Sequence, residues 1–146
     1  MQCSMDHIVL NVEDIEKMIT FYSKVLLLET ERLEEYHEGI VPFPSVRLSS
    51  ETIIDLFPKN FWYNNSTPQT GRKNLNHFCI SMKKETWIEL KGRLYDHNIE
   101  IEEGPVQRWG AHGTGISIYI KDPEGNTIEA RYYEHPNINE KCLLDS

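Results

Sequence analysis

The chain has 146 residues, of which 39% are hydrophobic and 26% are charged, and its formal net charge is −8. This length and hydrophobic content suit a single folded domain with a buried core. The acidic balance, without a cluster of lysine and arginine, argues against a nucleic-acid-binding surface. No apolar stretch approaches membrane-spanning length, and no basic segment leads into an apolar run at the N-terminus. We therefore expect a cytoplasmic protein that binds small molecules, with no nucleic-acid or membrane partner.

The first half of the chain begins with a predicted strand, DHIVLN, in which His7 precedes an apolar run. Residues 13–28 then carry apolar side chains at helical spacing, which predicts an amphipathic helix. Asp14 suits the positive end of the helix dipole, and Asn11 is a candidate cap.

Three further strands are expected in this half. A polar segment at 29–37 is predicted to pair with a strand at 41–48, which is interrupted by two prolines, and another strand covers 52–57. The aromatic run at 61–63 lies in a predicted polar loop, where it could line a pocket, form a dimer interface or cover the core.

The second half repeats this order. The strand NHFCIS again begins next to a histidine, His77, and a helix is predicted at 84–98. Short strands are expected at 99–101, 115–120 and 126–133, and the DPEGN turn joins the last two. The glycine-rich segment RWGAHGTG, which leads into the strand at 115–120, has the composition of a mobile lid, although a plain long connection explains it equally well.

Both halves therefore read as strand, helix and three strands, which predicts an α+β fold made of two βαβββ modules. Each half opens on a histidine strand and closes on a carboxylate strand, with Asp55 in the first and Glu129 in the second. Period-two alternation places both histidines on the less apolar face of their strands. The residues of this face are expected to line a concave site instead of packing under a helix.

Two imidazoles and one or two carboxylates on neighbouring strands form a mixed nitrogen and oxygen ligand set. Such a set suits a divalent ion such as Fe(II), Mn(II), Ni(II) or Zn(II), and leaves coordination positions for water or substrate. A lone strand histidine is more often a structural residue, but the repeated register of His7 and His77 favours the ligand interpretation.

The doubled module, the strands HIVLNV and HFCISM and the run GISIYIKDPEGNTIE together resemble the vicinal oxygen chelate superfamily, which includes glyoxalase I, bleomycin-resistance proteins and extradiol dioxygenases. The segment EGPVQRWGA is most similar to the glyoxalase-domain-containing and virulence-associated branch. The resemblance implies a glyoxalase-like fold, in which two modules at about 4–58 and 74–133 form a cupped mixed sheet. It predicts a single domain over residues 1–133, followed by a polar tail at 134–146.

Carried over residue by residue, the resemblance implies that His7, His77 and Glu129 are the metal ligands. Asp55 falls where glyoxalase I uses a glutamate as ligand and proton shuttle, so Asp55 and Glu129 are the candidate catalytic carboxylates. Aspartate is one methylene shorter than glutamate, which weakens the analogy with an isomerase that uses this carboxylate as a base.

Three further residues are candidates for substrate binding. Arg47 alternates with apolar neighbours and could bind an anionic substrate, or it could be a surface arginine at a sheet edge. Trp109 and His112 lie in the glycine-rich segment and could close over a substrate.

The resemblance implies a metal-dependent enzyme of lyase or isomerase type, similar to lactoylglutathione lyase, whose substrate chelates the ion through vicinal oxygens. The alternatives are a non-catalytic protein that binds a drug or metabolite and confers resistance, and an extradiol-type dioxygenase. The resemblance also implies a homodimer with shared sites, in which His7 of one chain meets His77 and Glu129 of the other. A site formed within one chain is the alternative.

Overall fold

The computed structural model describes residues 1–2, 5–63 and 75–134, so most of the predicted tail lies outside the described residues. The chain divides into two compact units, Met1–Arg72 and Lys73–Ser146. Each unit contains a four-stranded mixed sheet together with helices, which confirms the predicted α+β class. Within the described ranges, no helix is long and apolar enough to cross a membrane.

The described part of the first unit contains four strands and three short α-helices, and a π-helical turn continues the first helix. In chain order these elements are β1 (His7–Asn11), α1 (Ile15–Thr20), the π-helical turn (Phe21–Val25), β2 (Glu29–Glu31), α2 (Leu33–His37), β3 (Ser45–Arg47), β4 (Ile53–Phe57) and α3 (Lys59–Trp62). The strand order is β1-β4-β3-β2, in which β1 runs parallel to β4 and the other neighbours are antiparallel.

The described part of the second unit has the same strand arrangement with a longer helix. Its elements are β5 (Phe78–Ser81), α4 (Lys84–Asp96), β6 (Glu103–Gly110), β7 (Gly113–Lys121) and β8 (Thr127–Tyr132). The order β5-β8-β7-β6, with β5 parallel to β8, matches that of the first unit. The repeated βαβββ pattern predicted from the sequence is therefore confirmed.

The two units match residue by residue in the register of their opening and closing strands. In the first unit Val9 is the register partner of Asp55, and in the second Cys79 is the partner of Glu129. In each unit the histidine stands two residues before that partner, and the opening and closing strands are adjacent and parallel. Both histidines are thereby brought to the strand that carries the carboxylate.

Each unit buries the apolar face of its sheet. The fully or almost fully buried side chains of the first unit include Leu10, Val12, Met18, Tyr22, Val46, Ile54 and Leu56. Those of the second unit include Leu90, Leu94, Ile118, Ile120, Ile128 and Ala130. Trp87 of α4 ties its helix to the sheet, since its indole N–H donates to the carbonyl of Ala130 at 3.0 Å. The alternation predicted for β8, with Ile128 and Ala130 under the helix, is confirmed.

The first helix is shorter than predicted, and its cap is Asp14 instead of Asn11. The Asp14 carboxylate accepts from the backbone N–H of Lys17 at 3.0 Å, which satisfies one of the free N–H groups of the first turn. The helical segment stops at Val25 and not at residue 28, because Leu27 adopts a positive φ of 56°.

The polar segment at 29–37 forms only a short strand, β2, before it turns into helix α2. Glutamate and leucine favour a helix, and Gly39, at a φ of 77°, ends it in the left-handed conformation that glycine adopts without strain. The aromatic run at 61–63 is also helical in part. Its Trp62 indole N–H donates to the carbonyls of Val12 and Phe57, so this residue covers the first unit's core.

Residues 99–101 do not form the strand predicted there. Asn98 takes a φ of 55°, and the N–H of Ile99 donates to the carbonyl of Leu94 at 2.8 Å, so this segment ends helix α4 in a Schellman-type cap. The strand starts later, at Glu103.

The glycine-rich segment is not a lid or a long connection. Strands β6 and β7 run through it and form a hairpin, with Ala111 and His112 as the turn. Gly113 after the turn has a φ of 93°, a conformation that favours glycine.

Candidate metal centre

The second unit brings a histidine and a carboxylate together. His77 immediately precedes β5, Glu129 lies on the adjacent β8, and His77 Nε2 is 3.0 Å from Glu129 Oε2. The Glu129 side chain is only 5% exposed, whereas that of His77 is 33% exposed. Glu129 is therefore not an exposed glutamate on a sheet edge. It lies in an interior strand, between β5 and β7.

The other oxygen of Glu129 is held by two donors. Ser117 Oγ and Arg131 Nη2 each donate to Oε1 at 2.7 Å. Burial by itself would raise the pKa of Glu129, but the bonds from Arg131 and Ser117 outweigh it, so the pKa lies below its usual value. The carboxylate is consequently ionised at neutral pH, with Oε2 directed at His77.

The orientation of His77 comes from the residue before it. Its Nδ1–H donates to Asn76 Oδ1 at 2.5 Å, and an amide oxygen can only accept a hydrogen bond. In the neutral ring Nε2 then carries a lone pair, so two acceptors, Nε2 and Glu129 Oε2, face each other at 3.0 Å. A positive charge between them, either a proton on Nε2 or a metal cation, satisfies both atoms.

The first unit repeats part of this arrangement. His7 Nδ1–H donates to Asp6 Oδ1 at 2.5 Å, again the side chain of the preceding residue. That bond raises the pKa of His7, and the charge of Asp55 adds to it, whereas burial opposes both. Asp55 is buried and accepts from Ser45 Oγ at 2.6 Å, so it is not a solvated strand acid.

A cavity of about 330 Å³ adjoins His77 and Glu129 within the second unit. It is lined by His77, Cys79, Ser81, Trp109, Gly110, Ala111, His112, Glu129, Arg131 and Tyr133. Trp109 and His112, predicted to bind substrate, thus lie on the same cavity as two of the predicted ligands. Burial, with the charge of Glu129, raises the pKa of the Cys79 thiol to about 11, so at neutral pH it is not a thiolate nucleophile.

Arg47 lies in the other unit, on an interior strand instead of a sheet edge. Its Nε donates to Glu31, and its Nη1 donates to the carbonyls of Ser49 and Ser50 at 3.1 and 3.2 Å. An anionic substrate would have to replace these partners, so binding by Arg47 stays a prediction.

Sequence reasoning did not single out four residues that shape the centre. Asn76 and Ser117 orient the ligand pair, Arg131 balances its charge, and the ring of Tyr119 lies edge-on to His77 at 5.6 Å. Burial and the charge of Glu129 raise the pKa of Tyr119. Alternation along β7 and β8 places Ser117, Tyr119 and Arg131 on the polar face of the sheet. This alternation is the sequence pattern from which these three residues could have been predicted.

A third metal ligand does not join the pair in the described ranges. No three histidine, cysteine, aspartate or glutamate side chains there come close enough to hold an ion. His77 and Glu129 are two donors of suitable chemistry, since ligands that bind an ion at about 2.0–2.2 Å in adjacent positions lie roughly 3 Å apart.

The two βαβββ units define a glyoxalase-like fold. A sequence model of the Glyoxalase/Bleomycin resistance protein/Dioxygenase superfamily matches residues 4–130. The chain belongs to this superfamily, the vicinal oxygen chelate superfamily that its strand and turn motifs resemble.

Among its relatives, a protein from Salmonella typhimurium described as a virulence protein is 32% identical over 130 residues, or 88% of this chain and 83% of that protein. Its crystal structure superimposes with a TM-score of 0.69 at 29% identity, covering 91% of this chain and 98% of that one. A glyoxalase domain-containing protein from Mycosarcoma maydis is 29% identical, over 90% of this chain and 69% of that protein. The branch predicted from the sequence is confirmed.

A lactoylglutathione lyase from Neisseria meningitidis is 27% identical over 124 residues, or 84% of this chain and 86% of that enzyme. The superfamily thus includes a named lyase that matches this chain along most of its length.

The buried pair of Glu129 and Arg131 yields a stability prediction. Arg131→Met should lower the free energy of unfolding by about 3–5 kcal/mol, because it leaves the buried Glu129 carboxylate without its cation. Adding Glu129→Gln should restore part of the loss, since the remaining amide carries no charge. Urea denaturation of the two variants and the wild type measures both effects. A double variant no more stable than Arg131→Met would contradict this account.

Proposed function

We propose that the chain is a metal-dependent enzyme of lyase or isomerase type, whose small substrate chelates a divalent ion through two neighbouring oxygens. The observation that supports it is the 3.0 Å approach of His77 Nε2 to the ionised Glu129 Oε2 beside an open cavity. Family membership and the lactoylglutathione lyase relative are consistent with this chemistry. Family membership alone does not fix the reaction, because sites on one fold differ.

The proposed ligands are His77, Glu129 and His7. The side chains that hold Nδ1 of each histidine, Asn76 and Asp6, leave Nε2 as the ligating atom, and Ser117 and Arg131 leave Oε2 of Glu129 for the ion. Bound there, a divalent ion such as Ni(II), Mn(II), Zn(II) or Fe(II) would polarise the substrate oxygens and stabilise negative charge on them.

The protein's own residues then bind the substrate and move a proton. Asp55 is the proposed base, and its carboxylate is oriented by Ser45 Oγ in a buried setting where a proton transfer is shielded from bulk water. Trp109 and His112 contact the part of the substrate that extends along the cavity. Arg47 is proposed to bind an anionic group of the substrate.

A homodimer is proposed to complete the centre. Each unit supplies only part of a ligand set, and in members that this chain resembles the rest comes from the partner subunit. In an isologous dimer His7 of one chain would join His77 and Glu129 of the second copy, which gives two equivalent sites.

The ligand set predicts how metal affinity responds to substitution. His7→Ala, His77→Ala and Glu129→Ala should each weaken binding of the preferred ion steeply, because affinity depends on ligand number and geometry. Calorimetric titration of metal-free protein with Mn(II), Ni(II) and Zn(II) measures this. His37→Ala is the matched control, since His37 pairs with Glu16 at 2.6 Å on the surface of the first unit. Wild-type metal affinity in all three variants would refute the site. Binding of a small molecule by protein that takes up no metal would indicate a non-catalytic binder.

The role of Asp55 is tested by Asp55→Asn, which keeps the shape of the side chain and removes the base. Turnover of the substrate that the wild type converts should fall by about 10²-fold or more while metal stays bound. Glu51→Gln, a change to an exposed carboxylate of the same unit, is the control. Unchanged turnover in Asp55→Asn would leave Asp55 a structural role only.

Complementation tests whether sites are shared. His7→Ala and His77→Ala homodimers should both be metal-poor. If sites are shared in a mixed dimer, both alanine substitutions fall in one metal centre and the other centre keeps all its ligands. About half of the wild-type metal-binding capacity should then return. Metal content of purified heterodimers, verified by mass spectrometry, measures this. Heterodimers as metal-poor as the homodimers would show that the ligands of a site come from a single chain.

A further inference from the structure

Arg131 has more partners than a simple charge pair requires. Its side chain is 3% exposed, and Nη2 donates both to Glu129 Oε1 at 2.7 Å and to the carbonyl of Trp109 at 3.0 Å. Nη1 donates to Tyr133 Oη at 3.1 Å. One buried guanidinium therefore reaches a proposed metal ligand, the end of strand β6 and the residue that follows β8.

Tyr133 extends this contact to the hairpin turn. Its hydroxyl oxygen accepts from the backbone N–H of His112 at 3.3 Å, and its ring packs edge-on against the His112 imidazole at 5.5 Å. Trp109 lies in β6 just before the turn and His112 lies in the turn, and both line the cavity beside Glu129. The turn that carries the proposed substrate contacts is thus bonded, through Arg131 and Tyr133, to the carboxylate.

The glycines of the hairpin make room for this arrangement. A Cβ on Gly110 would lie 1.7 Å from Arg131 Nη1 and 2.6 Å from Tyr133 Oη, so any larger residue must displace the guanidinium. A Cβ on Gly115 would lie 2.8 Å from the carbonyl oxygen of Tyr132 and 3.2 Å from the Tyr133 ring. Glycine at positions 110 and 115 therefore allows the hairpin to pack closely onto Arg131 and Tyr133.

The first unit has an apolar pair where the second has this arginine. Phe57 stands two residues after Asp55, as Arg131 stands two residues after Glu129, and its ring packs against Phe43 at 4.7 Å. A phenylalanine pair can fill the space, but it cannot hold a carboxylate oxygen or a backbone carbonyl. The arginine network is therefore a feature that distinguishes the second unit from the first.

We propose that Arg131 is a positioning residue that couples the geometry of Glu129 to that of the β6–β7 turn. It holds Oε1 so that Oε2 faces His77, and the same guanidinium binds Trp109 at the end of β6 and, through Tyr133, His112 in the turn. The inference rests on the proposed function only in taking Glu129 as a metal ligand. Its consequence is that a change at the end of β6, in a residue that is not itself a proposed ligand, alters metal affinity.

Gly110→Ala tests this consequence, because the new methyl group displaces the guanidinium and leaves Glu129, His77 and Arg131 in the chain. Affinity for the ion that the wild type prefers should fall about tenfold or more, the usual effect of losing a partner that orients a ligand. Gly92→Ala on α4, where an added Cβ meets nothing within 4 Å, is the matched control. Arg131→Lys should lower affinity similarly, since an ammonium group lacks the planar fork that reaches three partners at once.

Amide hydrogen exchange of His112 gives a readout that needs no metal. Its N–H bonds to Tyr133 Oη, so exchange should be faster in Gly110→Ala, Arg131→Lys and Glu129→Gln, while the amide of Leu94 in α4 reports global opening. Faster exchange at His112 alone supports the coupling, whereas a merely structural role would accelerate both amides together.

Two results would overturn the inference. One is wild-type metal affinity in Gly110→Ala when the wild type binds metal, and the other is unchanged His112 exchange in Glu129→Gln. If the wild type itself takes up no metal, the proposed function fails. The exchange measurement then still decides whether Arg131 couples the carboxylate to the turn.

Discussion

A charged carboxylate buried in the middle of a sheet is the constraint on which the second unit depends. Glu129 is almost without solvent contact, and an isolated carboxylate in such a place would cost several kcal/mol. Its charge is tolerated because Ser117 and Arg131 bind one oxygen and His77 faces the other. Those partners come from β7, β8 and the residue before β5, so the strand order and register of the sheet are conditions for keeping the carboxylate ionised.

The two units show how one scaffold can carry different chemistry. Both have the same strand order, and in both the residue before the histidine orients Nδ1. They differ two residues beyond the carboxylate, where the first unit packs Phe57 on Phe43 and the second places Arg131. Ser45 holds Asp55 in one unit, whereas a serine and an arginine hold Glu129 in the other. The repeat therefore supplies two pairs of strands that each carry a histidine and a carboxylate, and the residue two positions after the carboxylate is phenylalanine in one unit and arginine in the other.

The surroundings of the pair limit what chemistry the cavity supports. Cys79 lies beside Glu129, but its raised pKa keeps the thiol protonated, which disfavours a covalent thiolate mechanism. The ionised carboxylate and the oriented imidazole are instead donors of the kind that divalent ions prefer. The aromatic side chains of Trp109 and His112 line the same cavity as this pair. Superfamily membership is consistent with metal-ion chemistry. The side chains of Glu129, His77 and Cys79 favour it over a covalent mechanism.

Local pattern in the sequence was enough to predict the repeated βαβββ order, the polar face with His7 and His77 and the tight DPEGN turn, because periodicity and turn chemistry act over a few neighbouring residues. It failed where a segment depends on distant partners. The glycine-rich run reads as a loop until Arg131 and Tyr133, far along the chain, are seen to fill the space that Gly110 and Gly115 leave open. The misreading of the run at 99–101 has a local cause instead, because Asn98 takes a positive φ and the residues after it cap helix α4. The sequence by itself thus determined the repeated order of the main elements and the faces that carry the candidate ligands. Only the tertiary structure decided which donors hold Glu129, since hydrogen bonds between strands depend on a register that residue spacing alone does not specify.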